Sequence, residues 1–278
     1  MRHPDEWRRV NDNPPSTTIA ARLVGLAVPG DALIERQVPI EAPIALEYSG
    51  IGYAVMMATP ADIEDFVIGH ALAEGLVGHV SEVGSVDVSE AKGGWIARAQ
   101  LSPSATDAIH ARARTRVSDS SCGLCGVDSI EEALRPLPTV TSSIRISRAA
   151  IARALDDLPS LQHLNLATGA VHAAAFCKTD GQIVGLREDV GRHNAFDKLI
   201  GTMARAKVDM ADGFALLSAR SSFELVEKAV RCGVPMLVTV SAPTSLAVDR
   251  AKASGLTLLA LARSDNVIAF NDPNGCLT

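Results

Sequence analysis

The sequence predicts an α/β protein built as two units, a three-layer α/β/α domain over the C-terminal half and a smaller α+β domain before it. Three observations predict this. Beyond residue 140, strand-length and helix-length runs alternate, and the strands are nearly all apolar, as strands covered on both faces must be. Before residue 117, short alternating runs surround a single helical stretch. At 278 residues and 47% hydrophobic content, the chain is long and apolar enough to fill a core in each unit.

Residues 1–17, with Asn11-Asp12-Asn13-Pro14-Pro15, read as a flexible tail. The smaller domain is placed at 18–117. Its strands are expected at 18–24, 33–38, 44–48 and 52–57, followed after the helix by 85–88 and 95–101. Thr59-Pro60-Ala61-Asp62 offers a hydroxyl cap and a proline at the first helical position, so the helix is expected to begin there. It should run to Glu74 and stop at Gly75.

Residues 118–140 change character. A Ser-rich stretch leads into Cys122-Gly123-Leu124-Cys125-Gly126, then a short helix at 129–134 and the segment Arg135-Pro136-Leu137-Pro138. That composition suits an exposed, mobile connection, and the domain boundary is placed in it.

The larger domain is placed at 141–278. Ser147 should cap a helix ending near Leu158, before Pro159. A hairpin is expected over 171–186, turning at Asp180-Gly181. A helix over 194–206 follows, with Phe196, Leu199, Ile200 and Met203 on one face. Then come strand 214–218, helix 223–231, strand 236–240, helix 245–253, and strands 256–261 and 267–270. In such sheets a ligand sits at the carboxyl ends of the strands.

Charge and composition narrow the function. A net charge of -6 gives no general attraction to nucleic acid or anionic lipid, so a polyanionic ligand needs a local cluster of cations. The most apolar helical stretch, 63–77, is broken by Glu64, Asp65, His70 and Glu74 and is too short to span a membrane. The first ten residues are charged and lack the apolar run of a secretory signal. Five cysteines, an odd number, point to free thiols and a reducing compartment, hence the cytoplasm.

Cys122 and Cys125 form the only close cysteine pair, and three readings of it compete. A zinc half-site has the right spacing, but Cys177, Cys232 and Cys276 are scattered and supply no second half. A redox pair belongs at a strand-to-helix junction, whereas a Ser-rich loop precedes this one. A persulfide carrier needs a reachable, nucleophilic thiolate, and flanking glycines give backbone access. Arg112, Arg114 and Arg116 favour a thiolate while Asp119 and Asp128 oppose it, so spacing and charge leave the three open. Cys177, in an apolar strand, and Cys232, at a helix end, read as packing residues.

Polar segments punctuate the larger sheet. In Arg187 to Lys198, His193 and Asn194 fall at a helix start, where backbone N–H groups and the helix dipole favour an anion. Arg220 follows the next strand, and Ser241-Ala242-Pro243-Thr244-Ser245 the one after. Leu261-Ala262-Arg263-Ser264-Asp265-Asn266 joins the last two strands, and its plain alternative is a hairpin turn. None of these is a P-loop.

Together these segments resemble the formate dehydrogenase accessory sulfurtransferases, the FdhD/NarQ family. The resemblance is carried by Ser121-Cys122-Gly123-Leu124-Cys125-Gly126, by Asp189-Val190-Gly191-Arg192-His193-Asn194-Ala195-Phe196-Asp197-Lys198, by Ser241 to Ala247, and by Gly255-Leu256-Thr257-Leu258, over residues 35–270. It implies a cytidine deaminase-like fold for the second domain and a homodimer. It also implies a persulfide supplied by a cysteine desulfurase, and delivery of that sulfur to bis-molybdopterin guanine dinucleotide before the cofactor enters the formate dehydrogenase catalytic subunit. Cys122 matches the family's persulfide cysteine, Cys125 its companion, and Leu261, Ala262, Arg263, Ser264, Asp265 and Asn266 its cofactor-binding loop. Arg187, Arg192, Lys198, Arg220 and Arg263 are the cations expected to hold the cofactor's phosphates. The chain departs from the family pattern at Ala170, Ala219 and Ala260-Leu261, the last removing any aromatic stacking there.

Two rivals come from other classes. A zinc-dependent deaminase needs H-x-E followed by P-C-x-x-C, which the sequence lacks. A non-catalytic cofactor chaperone would bind and escort without moving sulfur.

Overall fold

The computed structural model describes residues 14–27, 30–113 and 135–278. Cys122, Cys125 and the helix expected at 129–134 lie outside the described residues.

The N-terminal part begins with an antiparallel ribbon of β1 (Ser16–Val24) and β2 (Asp31–Pro39). β1 thus starts two residues inside the segment read as a tail. Next come β3 (Ala42–Tyr48), β4 (Ile51–Ala58), β5 (Val83–Ala91) and β6 (Gly94–Leu101), in a sheet of order β4-β3-β6-β5. Alternation along β3 turns Ile44, Leu46 and Tyr48 inward, and Ala97, Ala99 and Leu101 of β6 join them. Helices α1 (Ile63–Ala73) and α2 (Pro103–Ala113) cover that face, with Phe66, Val67 and Ile109 fully buried.

The C-terminal part contains α3 (Arg148–Leu161), α4 (His163–Thr168), β7 (His172–Lys178), β8 (Ile183–Asp189), α5 (Arg192–Arg205), β9 (Gly213–Leu217), α6 (Phe223–Arg231), β10 (Met236–Thr239), α7 (Ser245–Ser254), β11 (Thr257–Ala260) and β12 (Ile268–Asn271). Its sheet has the order β12-β11-β10-β9-β7-β8. β9, β10 and β11 run parallel, β7 runs against β9, and β8 runs against β7, so β8 points the same way as the parallel set. α5, α6 and α7 pack on one face through Phe196, Leu199, Leu225, Val226 and Ala251. α3 packs on the other through Ile151, Leu155 and Leu158. The expected three-layer architecture is therefore present, and it explains why β9 is apolar at every position: all five of its residues are buried.

Four local expectations change. Thr59 does not cap α1, which starts at Ile63 behind Asp62 in the left-handed region (φ 53°). Thr59 is instead spent on the neighbouring unit, as described below. Gly75 ends the helix as expected, at φ +65°. α2 was not expected, although Ser102-Pro103 is a cap followed by a first-turn proline, and the Ser102 hydroxyl accepts from the Ala105 N–H at 3.4 Å. α3 runs through Pro159 to Leu161 rather than stopping before it. The proline has no N–H to give to the Leu155 carbonyl, and the helix ends two residues beyond it. α4, six residues long, follows directly.

Candidate functional site

The strand directions bring four turns to one edge. β8, β9, β10 and β11 all end there, opening into α5, α6, α7 and the loop to β12. β7 runs the other way and contributes its first residue, His172, in register with Asp189. The polar segments picked out in the sequence thus do share one carboxyl edge.

Much of the segment from Arg187 to Lys198 nevertheless faces inward. The fully buried Asp189 accepts from Lys198 Nζ at 2.6 Å, from the Thr59 N–H at 3.0 Å, from the Gly191 N–H at 2.8 Å and from Asn194 Nδ2 at 3.0 Å. Lys198 also donates to the Thr59 carbonyl at 2.8 Å, and the Thr59 hydroxyl accepts from the Val190 N–H at 3.3 Å. Asn194 spends its amide on Asp189 and on the Met57 carbonyl at 2.8 Å, so it is a junction residue and not the anion ligand expected of it. Arg187 donates to Asp65 through Nε at 3.0 Å and Nη2 at 2.8 Å. Arg187 and Lys198 are therefore withdrawn from the expected phosphate cations. A buried carboxylate is stable only when paired and fully hydrogen-bonded, and these two cations meet that need.

A third buried cluster lies on α5 and α6. Lys228 donates to both Asp197 oxygens, at 2.6 and 2.8 Å, with Glu74 at 3.5 Å. Burial pushes the Asp197 carboxyl up to about 6, with Lys228 opposing. Burial also pushes the Cys232 thiol up to about 12 and holds Cys177 high, so both are protonated packing residues, as read from the sequence.

What remains at the edge is a smaller set. His193 Nε2 lies 3.3 Å from the Ser222 hydroxyl and 3.8 Å from Glu224, which ties the start of α5 to the start of α6. Glu224 is held down at about 2: burial raises it, but hydrogen bonds from His193, Ser222 and its own backbone N–H prevail. His193 is held low by burial and by the charges of Lys228 and Arg192. His172 is held low by burial and then by Arg192 and Arg220.

Leu261 to Asn266 form a tight turn. Leu261 takes φ 53°, its N–H donating to the Ser241 carbonyl at 3.3 Å. The turn closes with Arg263 N–H to Asn266 carbonyl at 2.8 Å and the reverse bond at 3.3 Å. Ala262 is buried in the core under α3, which removes its side chain from any ligand contact. Arg263 holds the Val240 and Ala262 carbonyls at 2.7 and 2.8 Å, while Ser264, Asp265 and Asn266 are exposed at the tip. The loop is thus also the hairpin that was its plain alternative, since β11 and β12 pair antiparallel.

Sequence reasoning missed His172; Ser221 and Glu224 lie in the polar turn 218–224 that it picked out, without a role of their own. His172 opens an apolar strand, and only the antiparallel placement of β7 brings it to this edge.

The lowered histidines fix a pH response. Both bind protons more weakly folded than unfolded, so their contribution is complete above about pH 6.5 and is lost as pH falls through the lower folded values. The raised Asp197 carboxyl has the opposite sign in the same window. Urea unfolding at pH 5.5 and 7.5 should therefore show wild type losing more stability on acidification than His193→Gln; an equal change in both would mean that His193 is not buried neutral.

The chain matches the FdhD/NarQ family over residues 39–276. The chain belongs to this family. A sulfur carrier protein FdhD from Xanthomonas axonopodis pv. citri is 42% identical over 242 residues, covering 87% of this chain and 86% of that protein. Its counterpart from Variovorax paradoxus is 42% identical over 236 residues and covers 85% of each. A solved structure from Desulfotalea psychrophila, described as that of a formate dehydrogenase accessory protein, superposes with a TM-score of 0.76 at 23% identity. It covers 95% of this chain and 100% of that one, so the two share one fold over that span. Among the described residues, no three His, Cys, Asp or Glu side chains converge to hold a metal, and no helix is long and apolar enough to cross a membrane.

Proposed function

We propose that this chain is a cytoplasmic sulfur carrier serving formate dehydrogenase, with Cys122 bearing the sulfur. The supporting observation is membership of the FdhD/NarQ family across most of the chain, with close relatives named as sulfur carriers. The Cys122 thiolate attacks the outer sulfur of a cysteine desulfurase persulfide. The donor's S–S bond breaks, its cysteine leaves as a thiolate, and Cys122 becomes a persulfide. The acceptor is bis-molybdopterin guanine dinucleotide, a substrate laid along the carboxyl edge, with Arg192, Arg220 and the Leu261 to Asn266 turn facing it. Cys125 then attacks the inner sulfur of the persulfide, forming a Cys122–Cys125 disulfide and releasing hydrosulfide to the metal; a thiol reductant resets the pair. The reading includes a homodimer and transient contact with the formate dehydrogenase catalytic subunit.

Complementation tests it. In a strain lacking its own copy, wild type should restore formate dehydrogenase activity, and Cys122→Ala should restore none while accumulating to the same level. Full activity with Cys122→Ala would replace the carrier with a non-catalytic chaperone.

A further inference from the structure

We infer that two copies of this chain join by exchanging ribbons, the apolar face of β1 and β2 from one copy lying on the outer face of the other copy's smaller sheet. This deepens the proposed function by giving its homodimer a surface, and it stands on exposed side chains rather than on the sulfur chemistry.

The first support is where the apolar surface lies. Ten large apolar side chains are exposed among the described residues, and eight of them sit on the ribbon, on its turn or on β4. Scattered singly such residues need no account, but gathered on two adjoining elements they mark a contact.

The second is the pattern within the ribbon. Its register puts Ile19, Ala21, Leu23, Ala32 and Ile34 on one face, where Thr17 and Arg36 are the only polar residues. The opposite face carries Arg22, Asp31, Glu35 and Gln37. Cover from within the chain reaches only the base of the apolar face: Arg36 donates to the Thr168 carbonyl of α4 at 3.5 Å, while Leu23, farther out, is 57% exposed. β1 and β2 pair with no third strand, and a two-stranded hairpin is marginal in water by itself.

The third is the face it meets. Val55, Ala45 and Ile96 align across three strands of the smaller sheet, with Met57 and Pro43 paired in the next row. Alternation turns these residues away from α1 and α2, and Val55 is 69% exposed. The ion pairs of Arg98 with Glu47 and Asp87 bound the apolar patch on one side.

A second copy is the occupant that removes both surfaces at once. Two-fold pairing lays each ribbon on the other copy's sheet and closes the assembly. Nine residues in each strand make the ribbon roughly 30 Å long and 10 Å wide. Two such junctions bury roughly 1,200 Å² in total, the lower end of what a stable interface needs. A desulfurase or a dehydrogenase subunit comes and goes, and would return the ribbon to water between visits. Nearly all of the ribbon precedes residue 39, where the match to the family begins, so the resemblance does not supply this surface.

Sedimentation equilibrium of the full chain tests the assignment. Wild type should be a dimer. Leu23→Glu on the ribbon and Val55→Lys on the sheet should each raise the dimer dissociation constant about a hundredfold or more. Mixing these two variants should restore a dimer, because that pair keeps one unaltered junction and sets Glu against Lys in the other. Leu23 and Val55 are exposed, so circular dichroism should show both variants folded, and Ile34→Glu repeats the ribbon arm of the test. A monomeric wild type, a dimer that survives both variants, or a mixture that stays monomeric overturns the inference and returns the ribbon to a visiting partner. A protein that acquires sulfur on Cys122 while its dimer survives both variants fails this inference alone. One that exchanges ribbons but never acquires sulfur fails the carrier reading and leaves the interface standing.

Discussion

Asp65→Ala is expected to destabilise the fold by about 3–5 kcal/mol. Asp65 lies on α1, its side chain 6% exposed, and gathers Arg187, Arg205 Nη1 at 2.7 Å and the Thr202 hydroxyl at 2.8 Å from the C-terminal part. Alanine leaves the Arg187 guanidinium, itself 9% exposed, without its nearest carboxylate; Asp62, at 3.6 Å, is a poorer substitute. The magnitude comes from stranding a charge out of water, more than from losing one attraction. Urea denaturation with matched slopes would measure it. A loss under about 1 kcal/mol, the range of an exposed ion pair, would mean that water reaches the cluster.

The second large effect concerns how α1 and α5 touch. Gly69 on α1 lies against the Asp197 carbonyl, and Gly201 on α5 against the Asp65 carbonyl, each so closely that an added β-carbon would overlap backbone atoms. Gly201→Ala therefore cannot be absorbed by turning a side chain; the helices must separate. Overpacking of this kind typically costs about 1–3 kcal/mol, and the rigid backbone neighbours place this case at the upper end or beyond. Intrinsic helix propensity alone predicts the opposite sign, a gain of about 1 kcal/mol. A lower Tm for Gly201→Ala thus separates close contact from propensity. Adding Gly69→Ala should cost less than the sum of the two, because one separation relieves both overlaps. A raised Tm would contradict the close crossing.

These two sites also show what the sequence can and cannot carry. The alternation of strands and helices past residue 140 is a local property, and helix Phe223–Arg231 lies where that alternation put it. The polar turns at the carboxyl ends were legible for the same reason. The roles of Arg187, Asn194 and Lys198 were not. Their partners, Asp65, Met57 and Thr59, lie more than 120 residues away, and no spacing rule links an anion-site pattern to a distant carboxylate that fills it. Thr59 looks like a helix cap for the same reason: its hydroxyl and proline neighbour satisfy the local rule, but its bonds go to the C-terminal part. The glycines at 69 and 201 carried no signal until the helices crossed. His172 became visible only when β7 and β8 were placed side by side.

The most direct test of the central claim is intact-mass and peptide analysis after incubation with a cysteine desulfurase and cysteine. The account predicts one additional sulfur atom, mapped to Cys122, removed by a thiol reductant and absent in Cys122→Ala. An unmodified wild-type protein, or a sulfur adduct that persists in Cys122→Ala, would contradict it.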